Sequence, residues 1–402
     1  MPTEAIAARS GPLIDWLLRH SRQLAGPEQF IEDFAVRLRR ARVPVWRMNL
    51  HLPPLHPLIL GRIYQWVDGE AKPIEIMRDR DARGRLAYHH SPVGIVFRSG
   101  LSVRRRLAGP EADVDFPLLE ELRDRGATDY YLLPLDFSLS RRRGAIGFTT
   151  RDADGFSEDA VAVIDHIMPA LNTVAEVYAG RMMLHDTLDV YVGREATQRI
   201  LDGEITLGTG RSIGAAIWYT DLRGFTMLSE TLDREVVLGL LNDYFGCMVP
   251  AVQAAGGEIL KFMGDALLAI FKFEQRSREN VCSAVLDAAV GASEAMARMN
   301  DQRLAQSLPG MQAGISLHVG DVVFGNIGAA DRLDFTVIGP AVNLASRIEE
   351  LCRDLDEPIL VSQPFAALAG GGLDSIGSHG FKGVAMRQEL FRPAHVRPTA
   401  AS

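Results

Sequence analysis

Residues 215 to 226 read "AAIWYTDLRGFT", an apolar run that ends in an acid and a glycine. The apolar part is typical of a buried strand, and Asp221 follows it where the chain begins to turn. Gly224, Phe225 and Thr226 continue the turn, and a helical pattern begins after them. This order of strand, turn and helix predicts that an acid and free backbone N–H groups are presented to a ligand.

A second acid follows in "GEILKFMGDALLAIF", residues 257 to 271, which we interpret as two strands around Gly264 and Asp265. A glycine at the first loop position is typical of a two-residue type II′ hairpin, which would hold Asp265 at an exposed tip. Neighbouring strands would bring Asp221 and Asp265 within reach of a common cation. Either acid alone is an ordinary cap or turn residue, whereas the pair favours Mg²⁺, which keeps waters and bridges to substrate phosphates.

Further polar residues stand in otherwise apolar or helical segments. Asn343 and Arg347 are four residues apart in a predicted helix, hence on one face, where they could hold a ribose and a developing phosphorane charge. Lys261 is a cation within an apolar strand. The plainer alternatives are an exposed polar helix face and a lysine that guards an edge strand.

The remaining segments of the C-terminal half alternate between strand and helix patterns. Residues 233 to 256 carry the apolar stripe of an amphipathic helix, and "GISLHVGDVVFGNIG", residues 314 to 328, is predicted as another hairpin. "FTVIGPAVNLASRIEEL" is predicted as a strand followed by a helix. "LDGEITLGTGRSIG", residues 201 to 214, precedes its strand, which excludes a dinucleotide fingerprint and indicates a connector.

Composition limits the class of protein. The 402 residues are 47% hydrophobic and 23% charged, with a net charge of −8, which argues against a nucleic-acid partner. Three widely spaced cysteines, Cys247, Cys282 and Cys352, indicate reduced structural thiols. We expect no membrane span and no secretory signal, and therefore a cytoplasmic protein.

The N-terminal half is predicted to begin with two helices, at residues 12 to 25 and 27 to 42, followed by several strands and a long exit helix. From about residue 178 the exit helix has no nearby strand in sequence, so we expect a dimeric coil there. The histidines of this half, His51, His56, His89 and His90, are predicted as surface or core residues, with a role as ligands as the alternative. Two arginine triplets, residues 104–106 and 141–143, are predicted as solvated loop charges, with an anionic effector site as the alternative. The apolar residues of the exit helix follow three- and four-residue spacing: Ile164, Ile167, Leu171, Val174, Tyr178, Leu184, Leu188 and Tyr191.

The order of elements in the N-terminal half resembles a GAF-type sensor domain, with a PAS-like domain as a close alternative. The resemblance rests on the element order and on "GFSEDAVAVIDHIMPAL", and it involves no chemical motif. We therefore divide the chain into an N-terminal helix (residues 1–26), a GAF-like domain (27–178), a helical transmitter (179–205), a catalytic domain (206–395) and a tail (396–402).

Residues 213 to about 392 resemble the catalytic domain of class III nucleotidyl cyclases. The resemblance rests on "YTDLRGFT", "LKFMGDALLAIF", "HVGDVVFGNIG", "FTVIGPAVNLASRIE" and "HGFKGV", in the family's order. It implies an α+β, ferredoxin-like (βαββαβ) domain that uses two Mg²⁺ or Mn²⁺ ions per active site. The implied metal ligands are Asp221, Asp265 and the backbone carbonyl of Leu222.

The resemblance also implies roles for the other polar positions. Gly224, Phe225 and Thr226 correspond to the corner that binds the triphosphate. Asn343 and Arg347 correspond to the residues that assist the transition state, and Lys382 in "FKGV" to a phosphate-binding lysine. Adenylyl cyclases carry a lysine where Lys261 stands, and the position of its usual aspartate partner is Thr336 here.

These correspondences imply an adenylate cyclase that converts ATP into 3′,5′-cyclic AMP and pyrophosphate. A threonine occurs at the position of Thr336 in the subgroup that includes bicarbonate-responsive cyclases, and its hydroxyl can accept from the adenine amino group. The family further implies a homodimer with active sites at the interface. An unknown small-molecule or protein effector would act on the N-terminal domain. The alternatives are a guanylate cyclase and a catalytically inactive nucleotide-binding module.

Overall fold

The computed structural model describes residues 3–81, 88–138, 142–274, 276–329, 331–382, 384 and 386–394. The chain is a mixed α+β protein with two compact units, an N-terminal unit (Met1–Val190) and a C-terminal unit (Tyr191–Ser402). The predicted tail, residues 396–402, lies outside the described residues.

The N-terminal unit is an antiparallel sheet with helices on both faces. The sheet order is β3-β2-β1-β6-β5-β4. Its strands are β1 (Arg47–Leu52), β2 (Ile59–Val67), β3 (Ile74–Asp79), β4 (Val103–Arg106), β5 (Asp129–Asp136) and β6 (Arg143–Thr150). The described helices are α1 (Glu4–Arg19), α2 (Pro27–Arg40), α3 (Pro92–Ser99), α4 (Pro117–Asp124) and α5 (Glu158–Val192).

Helices α1, α2 and α5 cover one face of this sheet, because each presents an apolar stripe at helical spacing. Phe30 and Phe34 of α2 stack with ring centroids 5.6 Å apart, and Trp16 of α1 lies against both. The predicted stripe of α5, from Ile164 to Tyr178, is buried in this core.

The exit helix does not leave its own domain at residue 178, so the expectation that nothing covers it from that point is wrong, and a dimeric coil formed by its last residues stays a prediction. Met182 and Met183 are buried in the same core, and the Asp186 carboxylate accepts from the Arg62 guanidinium at 2.6 Å. Sheet residues far away in sequence thus cover the helix. Leu184 and Tyr191 of the same helix, which belong to the predicted apolar spacing, are exposed.

The arginine triplets of this unit form ion pairs. Arg104 and Arg106 of β4 both contact the fully buried Asp129, at 2.8 and 3.2 Å. Arg143 pairs with Asp136 at 2.5 Å, and Arg141 lies outside the described residues. The prediction of solvated loop charges is therefore wrong for Arg104 and Arg106, because their guanidinium groups hold a buried carboxylate.

The C-terminal unit contains a second, largely antiparallel sheet of order β13-β14-β12-β10-β7-β9-β8, and β11 pairs with β10. Its strands are β7 (Gly210–Leu222), β8 (Glu258–Met263), β9 (Ala266–Lys272), β10 (Ala313–Ala329), β11 (Arg332–Ile338), β12 (Ile359–Ser362), β13 (Leu373–His379) and β14 (Gln388–Pro393). The described helices are α6 (Arg194–Leu201), α7 (Phe225–Thr231), α8 (Arg234–Ala254), α9 (Arg278–Ala305), α10 (Pro340–Asp354) and α11 (Gln363–Ala369).

The centre of this unit has the predicted βαββαβ order. The chain passes through β7, α8, β8, β9, α9 and β10, and these strands lie side by side as β10-β7-β9-β8. Such an arrangement is ferredoxin-like. Helices α8 and α9 cover one face of the sheet, whereas α6, β11 and the first turns of α10 pack on the other face.

The segment 314–328 is not a hairpin. It lies within the single 17-residue strand β10, which pairs with β7 from Ala313 to Gly325. The pair Gly320-Asp321 resembles a turn signal, but a Cβ on Gly320 would collide with the Cβ of Ala341 in α10. The glycine therefore permits a helix to approach the strand closely.

Two of the described helices, α5 and α8, are long and apolar enough to cross a membrane by composition alone, although the sequence led us to expect no span. Both contribute residues to a core: Tyr178 of α5 in the N-terminal unit, and Leu240 and Tyr244 of α8 in the C-terminal unit. Core helices pass the same test, so this finding is weak evidence for a span.

Candidate active site

Asp221 lies at the C-terminal end of β7, one residue before the strand ends. Ile217 and Tyr219 pack on the sheet face that is opposite α8 and α9. Because side chains alternate along a strand, Asp221 points to the same face as these two residues. Its Oδ1 accepts a hydrogen bond from the Leu222 N–H at 3.0 Å. The acid is therefore held at the end of a central strand, on the side of the sheet where α10 and β11 pack.

Asp265 occupies the tip of the predicted hairpin, which the structure confirms. Met263 and Ala266 are the last paired residues, so the loop consists of Gly264 and Asp265. Gly264 has a φ of 69°, and Asp265 is not among the residues with positive φ, as a type II′ turn requires. Strand β9 pairs with β7 up to Thr220, so the tip lies beside the end of β7.

The two carboxyl groups interact directly. Burial, a hydrogen bond with Asp265 and the Asp265 charge together raise the pKa of Asp221 to about 7, although the hydrogen bond from the Leu222 N–H acts in the opposite direction. Two adjacent acids in a half-buried site repel each other when both are ionised. A divalent cation would offset this repulsion.

The donor set fits a hard cation such as Mg²⁺ or Mn²⁺. Two carboxylates and the Leu222 carbonyl are oxygen ligands, and Mg²⁺ is commonly held by one or two carboxylates together with water and substrate phosphates. Within the described residues no three His, Cys, Asp or Glu side chains converge as a protein-only metal site would need. Two carboxylates and a carbonyl leave coordination positions on such a cation for water and for substrate phosphates.

The turn after Asp221 has the predicted strand–turn–helix geometry. Gly224 is left-handed, with a φ of 70°, and it precedes the first turn of α7, which contains Phe225 and Thr226. Gly224 and Thr226 are exposed and Phe225 is half-buried. The backbone of this short helix begins beside the acid pair.

Arg223 holds this turn in place, a role that the sequence interpretation missed. Its guanidinium donates to the carbonyls of Cys352 and Glu357 at 2.7 and 2.8 Å and pairs with Asp356 at 2.6 Å. These acceptors lie at the C-terminal end of α10 and just beyond it, where free helix carbonyls attract a cation. Arg223 thus connects the Asp221 turn to the helix that carries Asn343 and Arg347.

A β-bulge redirects Lys261. Ile259 pairs with Ala269 and Lys261 with Leu268, so Leu260 is an extra residue in β8. Without the bulge, Lys261 would share the face of Ile259, which packs toward α8 and α9. With it, Lys261 shares the face of Leu268, which belongs to the opposite cluster.

The described partner of Lys261 is Asp334 of β11, with which it forms an ion pair. Thr336, the expected partner, is 9% exposed and makes no described hydrogen bond to Lys261. It lies two residues from Asp334 and therefore on the same face of β11. The sequence interpretation missed Asp334, although the alternation of side chains along a strand places it on the same face as Thr336.

Asn343 and Arg347 lie on α10, as predicted. Asn343 lies near the start of the helix and is exposed, and Arg347, one turn later, is half-buried. Arg347 donates to the backbone carbonyl of Lys382, whose side chain is exposed. The structure therefore brings Arg347 and Lys382 together, whereas no described hydrogen bond or ion pair joins either of them to Asp221 or Asp265.

Glu349 is a further buried acid near the site. Its carboxylate lies over Gly314, the residue of β10 that pairs with Asp221 of β7, and a Cβ on Gly314 would collide with it. Burial and, to a smaller extent, the Asp221 charge raise the pKa of Glu349 to about 8. In the sequence it is one of two adjacent acids after Arg347, and nothing there distinguished it.

Comparison with known proteins identifies a domain in the C-terminal half of the chain. The family described as the adenylate and guanylate cyclase catalytic domain matches residues 211–368. An adenylate cyclase of Anabaena cylindrica is 37% identical over 163 residues, which cover 40% of this chain and 31% of that protein. Adenylate cyclase 1 of Rhizobium meliloti (strain 1021) is 30% identical over 186 residues, or 44% and 26% of the two chains.

Two solved structures are similar to the C-terminal unit. The guanylyl cyclase Cya2 is 32% identical, with coverage of 47% of this chain and 95% of that one and a TM-score of 0.42. The adenylyl cyclase CyaB from P. aeruginosa is 26% identical, with coverage of 48% and 100% and a TM-score of 0.43.

Residues 211–368 therefore form a class III adenylate/guanylate cyclase catalytic domain. This chain spans 31% and 26% of the length of the two curated relatives named here.

Proposed function

We propose that this protein is an adenylate cyclase, which converts ATP into 3′,5′-cyclic AMP and pyrophosphate. The observation that carries the proposal is the contact of Asp221 with Asp265 beside the glycine turn, within a cyclase catalytic domain. Relatives that are named adenylate cyclases support the choice of ATP.

Asp221, Asp265 and the Leu222 carbonyl would hold two Mg²⁺ or Mn²⁺ ions. Bound there, such ions would activate the ribose 3′-oxygen and neutralise charge on the triphosphate. Gly224, Phe225 and Thr226 would place backbone N–H groups against the phosphates. Arg223 would keep this turn rigid through its three contacts with α10 and the residues that follow it.

The other polar residues would bind the base and stabilise the transition state. The Lys261 ammonium would donate to adenine N1, and the Thr336 hydroxyl would accept from the adenine amino group. Asn343 would orient the ribose, and Arg347 would stabilise the charge on the pentacovalent phosphorus. Lys382, beside Arg347, would contact the phosphates.

We further propose a homodimer whose two active sites lie at the interface. Large apolar side chains are exposed on elements around the acid pair: Met227 of α7, Leu238 of α8, Phe262 of β8 and Ile338 of β11. Exposed apolar side chains of this size are common at protein interfaces. A two-fold axis would repeat any shared cleft and so create two equivalent sites.

The N-terminal unit would act as a GAF-like sensor that binds a small-molecule or protein effector and controls the catalytic unit through the end of α5. We place the protein in the cytoplasm, without nucleic-acid partners. Removal of residues 1–190 tests the regulatory role. If the truncated and the full-length protein have the same rate, and neither responds to any effector tried, the regulatory role is refuted.

Product analysis tests the enzymatic proposal. The purified protein is incubated with Mn²⁺ or Mg²⁺ and with either ATP or GTP, and nucleotides are separated by chromatography. We expect cyclic AMP from ATP, and no product from a protein that carries both Asp221→Ala and Asp265→Ala. The absence of cyclic nucleotide from the wild type with every metal would favour the inactive nucleotide-binding module.

One observation favours a guanylate cyclase as the second candidate. The carboxylate of Asp334, next to Lys261, could accept from the N1–H of guanine while Lys261 donates to its O6. In that case GTP would be the better substrate in the same assay.

A further inference from the structure

The position of Lys261 depends on two features of the fold. The bulge at Leu260 turns the lysine away from the face covered by α8 and α9, toward β11. Its ammonium then meets the Asp334 carboxylate. Strand β11 pairs with β10, where Asp334 lies opposite Ile327, so the two side chains come from strands that are not hydrogen-bonded to each other.

This ion pair contributes little to stability. The side chains of Lys261 and Asp334 are 42% and 46% exposed, and exposed pairs typically contribute roughly 0–1 kcal/mol. Edge protection of β8 requires only the lysine. Neither stability nor edge protection therefore explains why a carboxylate faces Lys261.

The contact does restrict the lysine. A lysine side chain is a flexible stem with a compact charge and three N–H donors. When one donor is bound to Asp334, the ammonium occupies a defined position and two donors stay free. Fixing a long side chain before a ligand arrives removes an entropic cost from binding. Thr336 lies on the same face of β11, two residues further along the strand.

We propose that Asp334 is a positioning residue that determines base specificity by holding the Lys261 ammonium where it meets adenine N1. This inference rests on the proposed function, because it assumes that Lys261 reads the base. Adenine N1 is an acceptor, whereas guanine N1 carries a proton and presents a donor. An ammonium fixed at that point favours adenine, and one that is free to swing can donate to guanine O6.

The test is the ratio of kcat/KM for ATP to kcat/KM for GTP. We expect Asp334→Asn to lower this ratio about tenfold, the equivalent of one hydrogen bond to a charged group. Asp334→Glu, which keeps the carboxylate, should restore most of the ratio. The matched control is Asp331→Asn, which removes an exposed acid at the β10–β11 turn and should leave the ratio at the wild-type value.

A second comparison separates positioning from a general structural effect. In a Lys261→Ala protein, the further change Asp334→Asn should leave the ratio unchanged, because no ammonium is left to position. Thermal midpoints of all variants show whether any has lost its fold. If Asp334→Asn were to unfold the protein, Asp334→Ser would serve as the second test.

The outcomes distinguish the two proposals. A wild type that prefers ATP, and an Asp334→Asn protein with the same preference, would overturn the positioning role and leave the adenylate cyclase proposal intact. An equal drop in the ratio with and without Lys261 would overturn it as well. A wild type that is inactive, or that prefers GTP, would refute the proposed function itself.

Discussion

Two inactive variants should restore each other's activity when they are mixed, if the active site is shared between protomers. Asp221 lies at the end of β7 in contact with Asp265, whereas Arg347 lies on α10 and contacts the backbone of Lys382. No described hydrogen bond or ion pair joins the two groups. In the proposed homodimer we expect the metal ligands of one protomer to work with Arg347 of its partner, because a two-fold axis would build each site from both protomers.

The perturbations are Asp221→Ala and Arg347→Ala, each of which should abolish turnover. Neither should unfold the protein. The described polar contact of Arg347 is one hydrogen bond to a carbonyl, and its net contribution is about 1 kcal/mol. Burial of the Asp221 carboxylate is unfavourable to its charged form, as the raised pKa shows, and replacement by alanine removes this unfavourable contribution to folding.

The expected activity follows from the symmetry of a dimer. In a mixed dimer, one site contains both substitutions and the other contains neither. With free exchange at equal concentrations about half of the dimers are mixed, and half of the sites in these are intact, so about a quarter of the wild-type rate should return. Mixing the two variants at 3:1 or 1:3 should restore less activity than mixing them at 1:1.

The assay is cyclic AMP formation after co-incubation of the two proteins, with exchange followed by a fluorescent label on each. The control mixes Asp221→Ala with Asp265→Ala, whose lesions fall in the same half-site. That mixture should stay inactive. If exchange is observed and the Asp221/Arg347 mixture also stays inactive, the shared site is refuted.

Three further predictions concern the metal ligands, a buried histidine and a half-buried lysine. Asp221→Ala and Asp265→Ala should each lower kcat by several orders of magnitude and abolish stabilisation by Mn²⁺ in thermal unfolding, because a metal can stabilise only a fold that binds it; retention of either property would contradict the metal assignment. Burial lowers the pKa of His51 to about 3, so the neutral ring stabilises the N-terminal unit above pH 6.5, and this contribution is lost as the pH falls. Between pH 6.5 and 5 the wild type should lose about 2 kcal/mol more than His51→Gln in tryptophan-monitored unfolding, whereas parallel pH curves would count against the burial argument. Lys272 pairs with Glu195 of α6 and Glu258 of β8, and Glu195 also pairs with Arg199. Lys272→Met should therefore destabilise the C-terminal unit by roughly 1–3 kcal/mol, because the largely buried Glu258 loses its ion-pair partner. Adding Glu258→Gln should recover part of this loss, and an unchanged thermal midpoint in the single variant would contradict this role of Lys272.

Much of the catalytic unit follows from local sequence. The buried strand that ends at Asp221, the glycine turn and the Gly264-Asp265 hairpin each depend on residues that are adjacent in the chain, and the structure reproduces all three. The βαββαβ order follows as well, because helical and strand periodicities are local properties. The polar residues of α10 lie on one helix for the same reason.

Errors arose where a residue serves a partner that is far away in sequence. Gly320 looked like a turn because a helix that passes over it, at Ala341, is invisible to local pattern. Helix α5 seemed unpartnered after residue 178 because the strand that contacts Asp186, through Arg62, lies more than a hundred residues earlier. Local periodicity carries no information about such contacts.

The sequence by itself thus determined which chemical groups this protein offers to the proposed site: two acids, a glycine turn, a lysine and the pair Asn343 and Arg347. Only the tertiary structure decided how these groups are held. The bulge at Leu260 turns Lys261 toward Asp334, Arg223 ties the Asp221 turn to the end of α10, and Glu349 fills the space over Gly314. Each of these contacts joins separate elements, and their geometry follows from strand pairing and helix packing, which sequence spacing does not encode.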